Sequence, residues 1–312
     1  GGLFNTGTLT VTSSTISSNS ARYGGGINNS GSLSISSSTI SGNSARYGGG
    51  LYNQGSVSLS NTTLSGNSAY RGGGLYNRGS MSVSSSSISG NSASFGGGIA
   101  NFIGSVSFSS STISGNSAGI NGGGISNTAG NLSLNNTTLS GNSAGFFGGG
   151  INNSGSSIAN LSNTTLSDNT AGISGGGIYN DNGNVNLSSS TISGNSAGQG
   201  AGIALYRGTV TLNSSSGNVV IDDAIAKVGA GFSARLNLIG SGGTISLNAP
   251  VTSFDNTLTV SAAGSGVLNL NAPIRSGGGN FTLTGSGIST VNVGNGGNSD
   301  NTGIIGQGVT LA

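Results

Sequence analysis

Very few side chains in this sequence can do acid–base, nucleophilic or metal chemistry. It has no His, no Cys and no Glu, a single Lys (Lys227) and six Asp. Metal sites built on imidazole or thiolate are therefore excluded, and without Cys there is no disulfide framework. Glycoside hydrolysis needs two positioned carboxylates, and the only adjacent acids are Asp222 and Asp223. They fall in an irregular stretch, where isolated charges are ordinarily solvated surface residues. The Ca²⁺-binding nonapeptide requires an Asp at a fixed place in each repeat, and Asp168, Asp181, Asp255 and Asp300 keep no such period. The Gly-rich blocks follow no strand-to-helix turn and do not read as phosphate loops. The expectation is a chain without catalysis, cofactor or metal ion. The competing reading is a polysaccharide-processing enzyme that uses Asp222 or Asp223.

What the sequence offers instead is a recurrent contact surface. Between an Ala and a Gly-rich block stand Arg22-Tyr23, Arg46-Tyr47, Tyr70-Arg71, Ser94-Phe95, Gly119-Ile120, Gly145-Phe146-Phe147 and Gly172-Ile173. Tyr, Phe and Arg are enriched at protein interfaces, so a corner that presents them again and again predicts an interface stripe along the molecule. The alternative is that these side chains fold over their own corner and cover it. Carbohydrate stacking on the rings of Tyr23, Tyr47 and Tyr70 is a further option.

The residues that position this stripe form a repeat. The Asn that follows the Gly block recurs at Asn5, Asn29, Asn53, Asn77, Asn101, Asn127, Asn153 and Asn180, in steps of 24, 24, 24, 24, 26, 26 and 27. A second Asn keeps the same beat at Asn19, Asn43, Asn67, Asn91, Asn116, Asn142, Asn169 and Asn195. A fixed period of this size signals a solenoid of stacked units. Gly contributes 63 residues, but Pro only 2 and there is no Gly-X-Y period, so the chain is not collagen.

Within each repeat the period switches to two. Ser32-Leu33-Ser34-Ile35-Ser36 and Ser56-Val57-Ser58-Leu59-Ser60 alternate polar with apolar residues, the mark of a half-buried strand. Ser-, Thr- and Gly-rich runs are poor helix material. The spacing predicts an all-β, single-stranded parallel β-helix with three strands and three faces per coil and about 13 coils (312/24) of about 24 residues. The crossover preference of parallel strands predicts a right-handed path. Gly55 and Gly66 are placed at corners that need positive φ. Leu3, Ile27, Leu51, Leu75, Ile99, Ile125, Ile151, Ile178 and Ile203 predict one inner stack, and Ile16, Ile40, Leu64, Ile88, Ile113, Leu139, Leu166 and Ile192 another. The Asn67 series, and with it the Asn53 series, is expected to form coil-to-coil amide ladders.

The order changes after residue 212. The reading divides the chain into regular repeats over 1–212, an irregular insertion or loop over 213–235, within which 217–235 is a bulged-out loop or a short helix packed on the side, and a continued β-helix with divergent repeats over 236–312. In the last part Leu247-Asn248-Ala249-Pro250-Val251 returns as Leu270-Asn271-Ala272-Pro273-Ile274, a step of 23.

Gly-Gly-Gly-Ile together with Ile40-Ser41-Gly42-Asn43 resembles the GGA(I/L/V) and FxxN repeats of polymorphic outer membrane protein adhesins, with Ile in place of Phe. This resemblance covers residues 1–205. The Leu-Asn-Leu-Asn-Ala-Pro-Ile and Gly-Gly-Gly-Asn-Phe-Thr-Leu-Thr segments of residues 236–312 look like repeats of filamentous-haemagglutinin-like secreted proteins. Both resemblances imply an extracellular parallel β-helix that serves adhesion or fibre formation.

Charged residues make up only 4% of the chain and the net charge is +2, too little to predict a nucleic-acid partner. Residues 1–167 carry Arg22, Arg46, Arg71 and Arg78 and no acid, whereas 168–312 carry four bases and six Asp, 4 − 6 = −2. No apolar run approaches the ~20 residues of a membrane span. The expected location is secreted or cell-surface. Leu3, Leu9 and Val11 at one end and Val309 and Leu311 at the other continue the strand pattern, which leads to the expectation that copies of the chain stack head to tail into a filament. The alternative is a passenger segment of a giant secreted adhesin that binds carbohydrate. A flat Ser face such as Ser32, Ser34, Ser56 and Ser58 leaves ice or sugar binding as a rival.

Overall fold

The structure, a computed structural model, describes residues 1–229, 234–239, 242–253, 258–263, 267–276, 281–286, 290–293, 304–305 and 309–311. Side chains are described over 1–229, 234–239, 242–252 and 267–273. Among the described residues every element is a β-strand, and every pairing is parallel to the equivalent strand one coil away. Leu51, for example, lies between Ile27 and Leu75. The fold is a parallel β-solenoid whose coils recur about every 25 residues.

Each regular coil carries four short strands where three were expected. In one coil they are Leu51–Asn53, Ser56–Ser60, Thr63–Ser65 and Ser68–Arg71. The first two belong to one 21-stranded sheet, the third to a 12-stranded sheet and the fourth to a 7-stranded sheet. Three sheets make three faces. The fourth strand corrects the sequence reading, which placed the aromatic–Arg stripe on a corner. Ser20–Tyr23, Ser44–Tyr47 and Ser68–Arg71 are paired strands of the third face. A further sheet, Leu258–Ala263, Phe281–Ser286 and Val309–Leu311, lies toward the C-terminus.

The Gly blocks are dictated by close approach. Gly48 adopts φ +65, and a Cβ there would run into the Leu51 carbonyl; a Cβ on Gly49 would run into the Gly73 carbonyl of the next coil. Gly66 takes the expected positive φ of +62. Gly55 does not; its lack of a side chain instead lets it lie against the Gly31 carbonyl. The other left-handed corner falls on non-Gly residues, Ser37, Asn61 and Ser85, at φ 46 to 48.

Inside, the two expected apolar stacks are fully buried from Ile27 and Ile40 onward, and the Leu33/Ile35 columns join them in one continuous core. Each such side chain contributes roughly 1.5–3 kcal/mol. Beside them run two amide ladders. Asn5 Nδ2 donates to Asn29 Oδ1 at 2.7 Å, and the same bond links each successive rung to Asn180. In the second ladder each Oδ1 accepts twice. Asn91 donates to Asn116 Oδ1 through both N and Nδ2 at 3.0 Å, while Asn116 Nδ2 donates back to the Ile88 carbonyl at 2.9 Å. A third coil-to-coil device lies at the next corner, where Thr62 N donates to Ser86 Oγ and Ser86 N to Ser111 Oγ.

Residues 213–229, expected as an insertion, carry strands of the same sheets. Ile221 pairs with Ile192, and Ile225, Ala226 and Lys227 pair with Ile203, Ala204 and Leu205. What changes is the third face. Residues 194–202 connect the flanking strands in one coil, but only 222–224 do so in the next. The coil shortens there and has no room for a fourth strand.

At the first coil Leu3 and Leu9 are partly buried and Val11 is buried. Val309–Leu311 pairs with Phe281–Leu283, and the side chains of Val309 and Leu311 lie outside the described residues.

Asn116→Ala strips a buried acceptor from two donors. It is expected to cost about 2–5 kcal/mol in denaturant unfolding. Asn186→Ala removes an exposed amide pair (Asn186 Nδ2 to Asn160 Oδ1, 2.8 Å) and should change stability by no more than about 0.5 kcal/mol. Equal losses would show that the ladder has no special role.

Candidate functional site

The adjacent acids come first, because they were the only candidates for acid–base work. Asp223 is the last rung of the second ladder: its Oδ2 accepts from Asn195 N at 2.8 Å and from Asn195 Nδ2 at 2.7 Å. That is the double acceptance each Asn makes one coil earlier. A carboxylate accepts but cannot donate, so it can end such a ladder and not continue it. Asp222 is exposed, and its Oδ1 accepts from Asn248 Nδ2 at 2.6 Å. Asn271 Nδ2 in turn donates to Asn248 Oδ1 at 2.7 Å. Both carboxylates are thus engaged in coil-to-coil pairing. Among the described residues no group of three or more acidic, His or Cys side chains is placed to hold a metal ion, and no helix is long and apolar enough to cross a membrane.

The aromatic–Arg stripe resolves into two columns. One is the outer row, Arg22, Arg46, Tyr70, Ile120, Phe146 and Ile173, of which Tyr70, Phe146 and Ile173 are about 44–45% exposed. The other follows the ladder register, Tyr23, Tyr47, Arg71, Phe95, Asn121 and Phe147. The strand register explains the split, because neighbours along a strand point to opposite sides.

The second column faces residues that the sequence reading did not single out. In the 21-stranded sheet Asn28, Tyr52, Tyr76, Ala100, Ser126, Asn152 and Tyr179 occupy one outward column. The two columns meet where the first and third faces adjoin. Tyr23 stacks on Tyr47 with ring centroids 5.5 Å apart, and Tyr52 on Tyr76 at 5.5 Å. Tyr23 also meets Tyr52 at 5.2 Å and Tyr47 meets Tyr76 at 5.4 Å, tilted and edge-on. Four rings thus form a two-by-two lattice. Its sequence signal was Tyr at the second position after Gly-Gly-Gly, hidden because the strand looked like a core element.

Around this lattice lies a cavity of about 360 Å³ walled by the four tyrosines with Asn28, Gln54 and Arg78. A second cavity of about 180 Å³ continues along the rod, sharing Tyr76 and walled also by Arg71, Phe95, Phe102 and Asn121. It opens where the facing column of the 21-stranded sheet shrinks to Ala100 and Ser126. Further along, the columns close again as Phe147 stacks on Tyr179 at 4.5 Å. Arg207 Nε donates to Asp181 Oδ1 at 2.7 Å just beyond. The Asp181 carboxylate, acting mainly through this bond, raises the Arg207 pKa.

The cations of the first four coils are held differently. The Arg22 guanidinium lies 5.3 Å from the Tyr23 ring centre, Arg46 5.6 Å from Tyr47, Arg71 4.9 Å from Phe95 and Arg78 5.7 Å from Phe102. Such contacts hold the planar head over a ring face and leave its donors available. The Asn28 and Asn121 Oδ1 atoms are buried and have no hydrogen-bond partner.

Set against protein-family models, curated proteins and solved structures, the chain matches none of them. The resemblance to adhesin repeats therefore rests on the quoted motifs. The parallel β-solenoid itself is shown by the strand pairing. The large face of Ser32, Ser34, Ser56 and Ser58 forms an open trough of about 610 Å³ between two columns of small hydroxyl side chains. Its walls continue through Thr8 and Thr10 at one end and Asn131 and Asn160 at the other, and no charged residue lines it.

Burial, reinforced by the Asp181 carboxylate, pushes the Tyr179 phenol up to about 12 from 10; burial raises Tyr76 as well. A folded-state value above the unfolded one means that protonated Tyr179 adds stability, fully present below pH 10 and lost as pH rises toward about 12. Parent protein is expected to lose stability over that window, by on the order of 2 kcal/mol more than Tyr179→Phe. Denaturant midpoints at pH 9, 10, 11 and 12 test this, and parallel curves would refute it.

Proposed function

We propose that this protein is an extracellular adhesive rod, a β-solenoid surface adhesin whose contact surface is the aromatic–Arg groove between its first and third faces, with carbohydrate as the ligand. The observation that carries the reading is the two-column groove. Stacked tyrosines, ring-held guanidiniums and partnerless amide oxygens lie in register along an internally hydrogen-bonded rod. With the ring faces stacked on one another, the exposed ring edges and hydroxyl tips of Tyr23 and Tyr47 are what meet a sugar's C–H groups and hydroxyls. Amides and guanidiniums supply the directional bonds that fix orientation.

The fold supports this use. Each coil advances about 4.8 Å, so identical groups recur along the axis at a pitch close to that of pyranose rings in an extended chain. The ligand and the rod then share one direction, and successive sugars meet successive coils. The scarcity of charge, the Ser/Thr/Asn surface and the absence of Cys fit a secreted protein and support the extracellular location.

Beads coated with the protein should be retained on immobilised polysaccharide. The Tyr23→Ser/Tyr47→Ser variant should lose about tenfold in retention, from about 1–2 kcal/mol of ring contact. Ser is already tolerated at this register position at Ser174, so the variant is expected to fold. Retention that is unchanged in the variant would place the contact surface elsewhere.

A further inference from the structure

We infer that the groove is built for an acidic polysaccharide, a chain of uronate or sulfated sugars laid along the first four coils. The inference rests on the carbohydrate reading above and specifies the ligand's charge and position. Residues 1–167 contain four Arg and no acid. Among the described residues the one salt bridge is Arg207–Asp181, at the far end of the groove. Arg22, Arg46, Arg71 and Arg78 therefore lie without a carboxylate partner, each over an aromatic ring. Arg22 and Arg46 stand in the outer row of two successive coils, about 4.8 Å apart, and Arg71 follows one coil on in the inner column. Arg78 and Arg71 wall the two linked cavities.

Guanidinium is suited to planar, bidentate recognition of carboxylate and of other oxyanions. Cations alone would accept any polyanion, and here the amide oxygens discriminate. Asn28 and Asn121 Oδ1 are buried, unbonded acceptors in the walls of those cavities. An acceptor without a partner calls for a donor; once the amide turns toward the cavity, the hydroxyls of every sugar can supply one, whereas an oligothymidylate offers only the single imide N–H of each base. The tyrosines, moreover, stack on each other within each column, 5.5 Å apart and within about 10° of parallel. That leaves no slot for a nucleobase between them. Charge from the ligand's acid groups and hydrogen bonds from its hydroxyls are both required, and an acidic glycan carries both.

The test measures binding of the whole chain to polygalacturonate, to its carboxyl-reduced neutral form, to heparin and to single-stranded oligothymidylate, at 50 and 300 mM NaCl. Parent protein is compared with Arg71→Gln/Arg78→Gln, whose fold is checked by circular dichroism and denaturant unfolding. The expected result is binding to polygalacturonate or heparin, at least tenfold weaker for the reduced form, at least tenfold weaker in the double variant, and weakened by salt. Equal binding of the neutral and acidic forms, untouched by the double substitution, would overturn the acidic ligand and leave the carbohydrate adhesin standing. Oligothymidylate bound as tightly as the glycans would overturn the role given to the amide acceptors. A folded protein that binds no polysaccharide would overturn this inference and the adhesin reading together.

Discussion

A narrow core that contains amide groups must satisfy every one of them, and there is no room for water to do it. In this rod a buried Asn finds its partners in the same Asn one coil away and in nearby backbone carbonyls. The two ladders are the consequence. Each rung takes a bond from the coil before and gives one to the coil after, so its energy depends on the neighbours being in register. Slipping one strand by a residue would turn Asn outward and strand its partners, in addition to inverting the apolar stacks. Register along the whole regular region therefore follows from hydrogen-bond accounting as much as from hydrophobic burial.

The ladders also have a direction, and they stop where the chemistry of the next residue demands it. In the second ladder Asp223 takes the place of Asn, accepts both bonds and has nothing to pass on. In the first, Asn180 faces Leu205 and turns its Nδ2 to the Gly183 and Arg207 carbonyls. The next residue in that register is Lys227, which is buried. Both ladders thus end within about a coil of each other, where the third face also runs out. A shorter coil, a new rung chemistry and the loss of the fourth strand are one structural event.

Much of this was legible in the sequence, for a physical reason. Core positions such as Leu51 and Leu64, and rung positions such as Asn53 and Asn67, tolerate little variation between coils, so they recur and can be counted. The fourth strand was not legible. Ser68-Ala69-Tyr70-Arg71 varies outward and has a single small inward residue, so it carries no apolar alternation to mark it. The left-handed corner at Ser37, Asn61 and Ser85 was hidden as well, since it is filled by residues that look like ordinary strand polar positions. Gly55 was misread for the opposite reason: a glycine signals either positive φ or close approach, and only the structure distinguishes the two. Asp222 and Asp223 looked irregular because their neighbours changed, although Asp223 occupies a ladder position.

The same division between fixed and free positions marks the surface proposed for contact. Within one coil Ile or Leu and Asn are held by the core, whereas outward positions of the third face answer only to solvent or ligand. Along the inner column the occupants run Tyr, Tyr, Arg, Phe, Asn, Phe, while the adjacent core column stays Ile or Leu throughout. Variation along the third face, in the outer row as well as the groove, gives an otherwise repetitive rod a local address. Its beginning is basic and aromatic; its end is closed by Phe147 on Tyr179 and neutralised by Arg207 on Asp181. A uniform solenoid would bind a polymer equally at every coil and let it slide. A groove whose charge and ring lattice are confined to a few coils, on the order of 15–20 Å at the coil spacing, would, on the proposed reading, bind it in one place. The ladder beneath keeps those coils at fixed separation, so for the proposed ligand the cost of ordering these groups would be met when the rod folds and not again on binding.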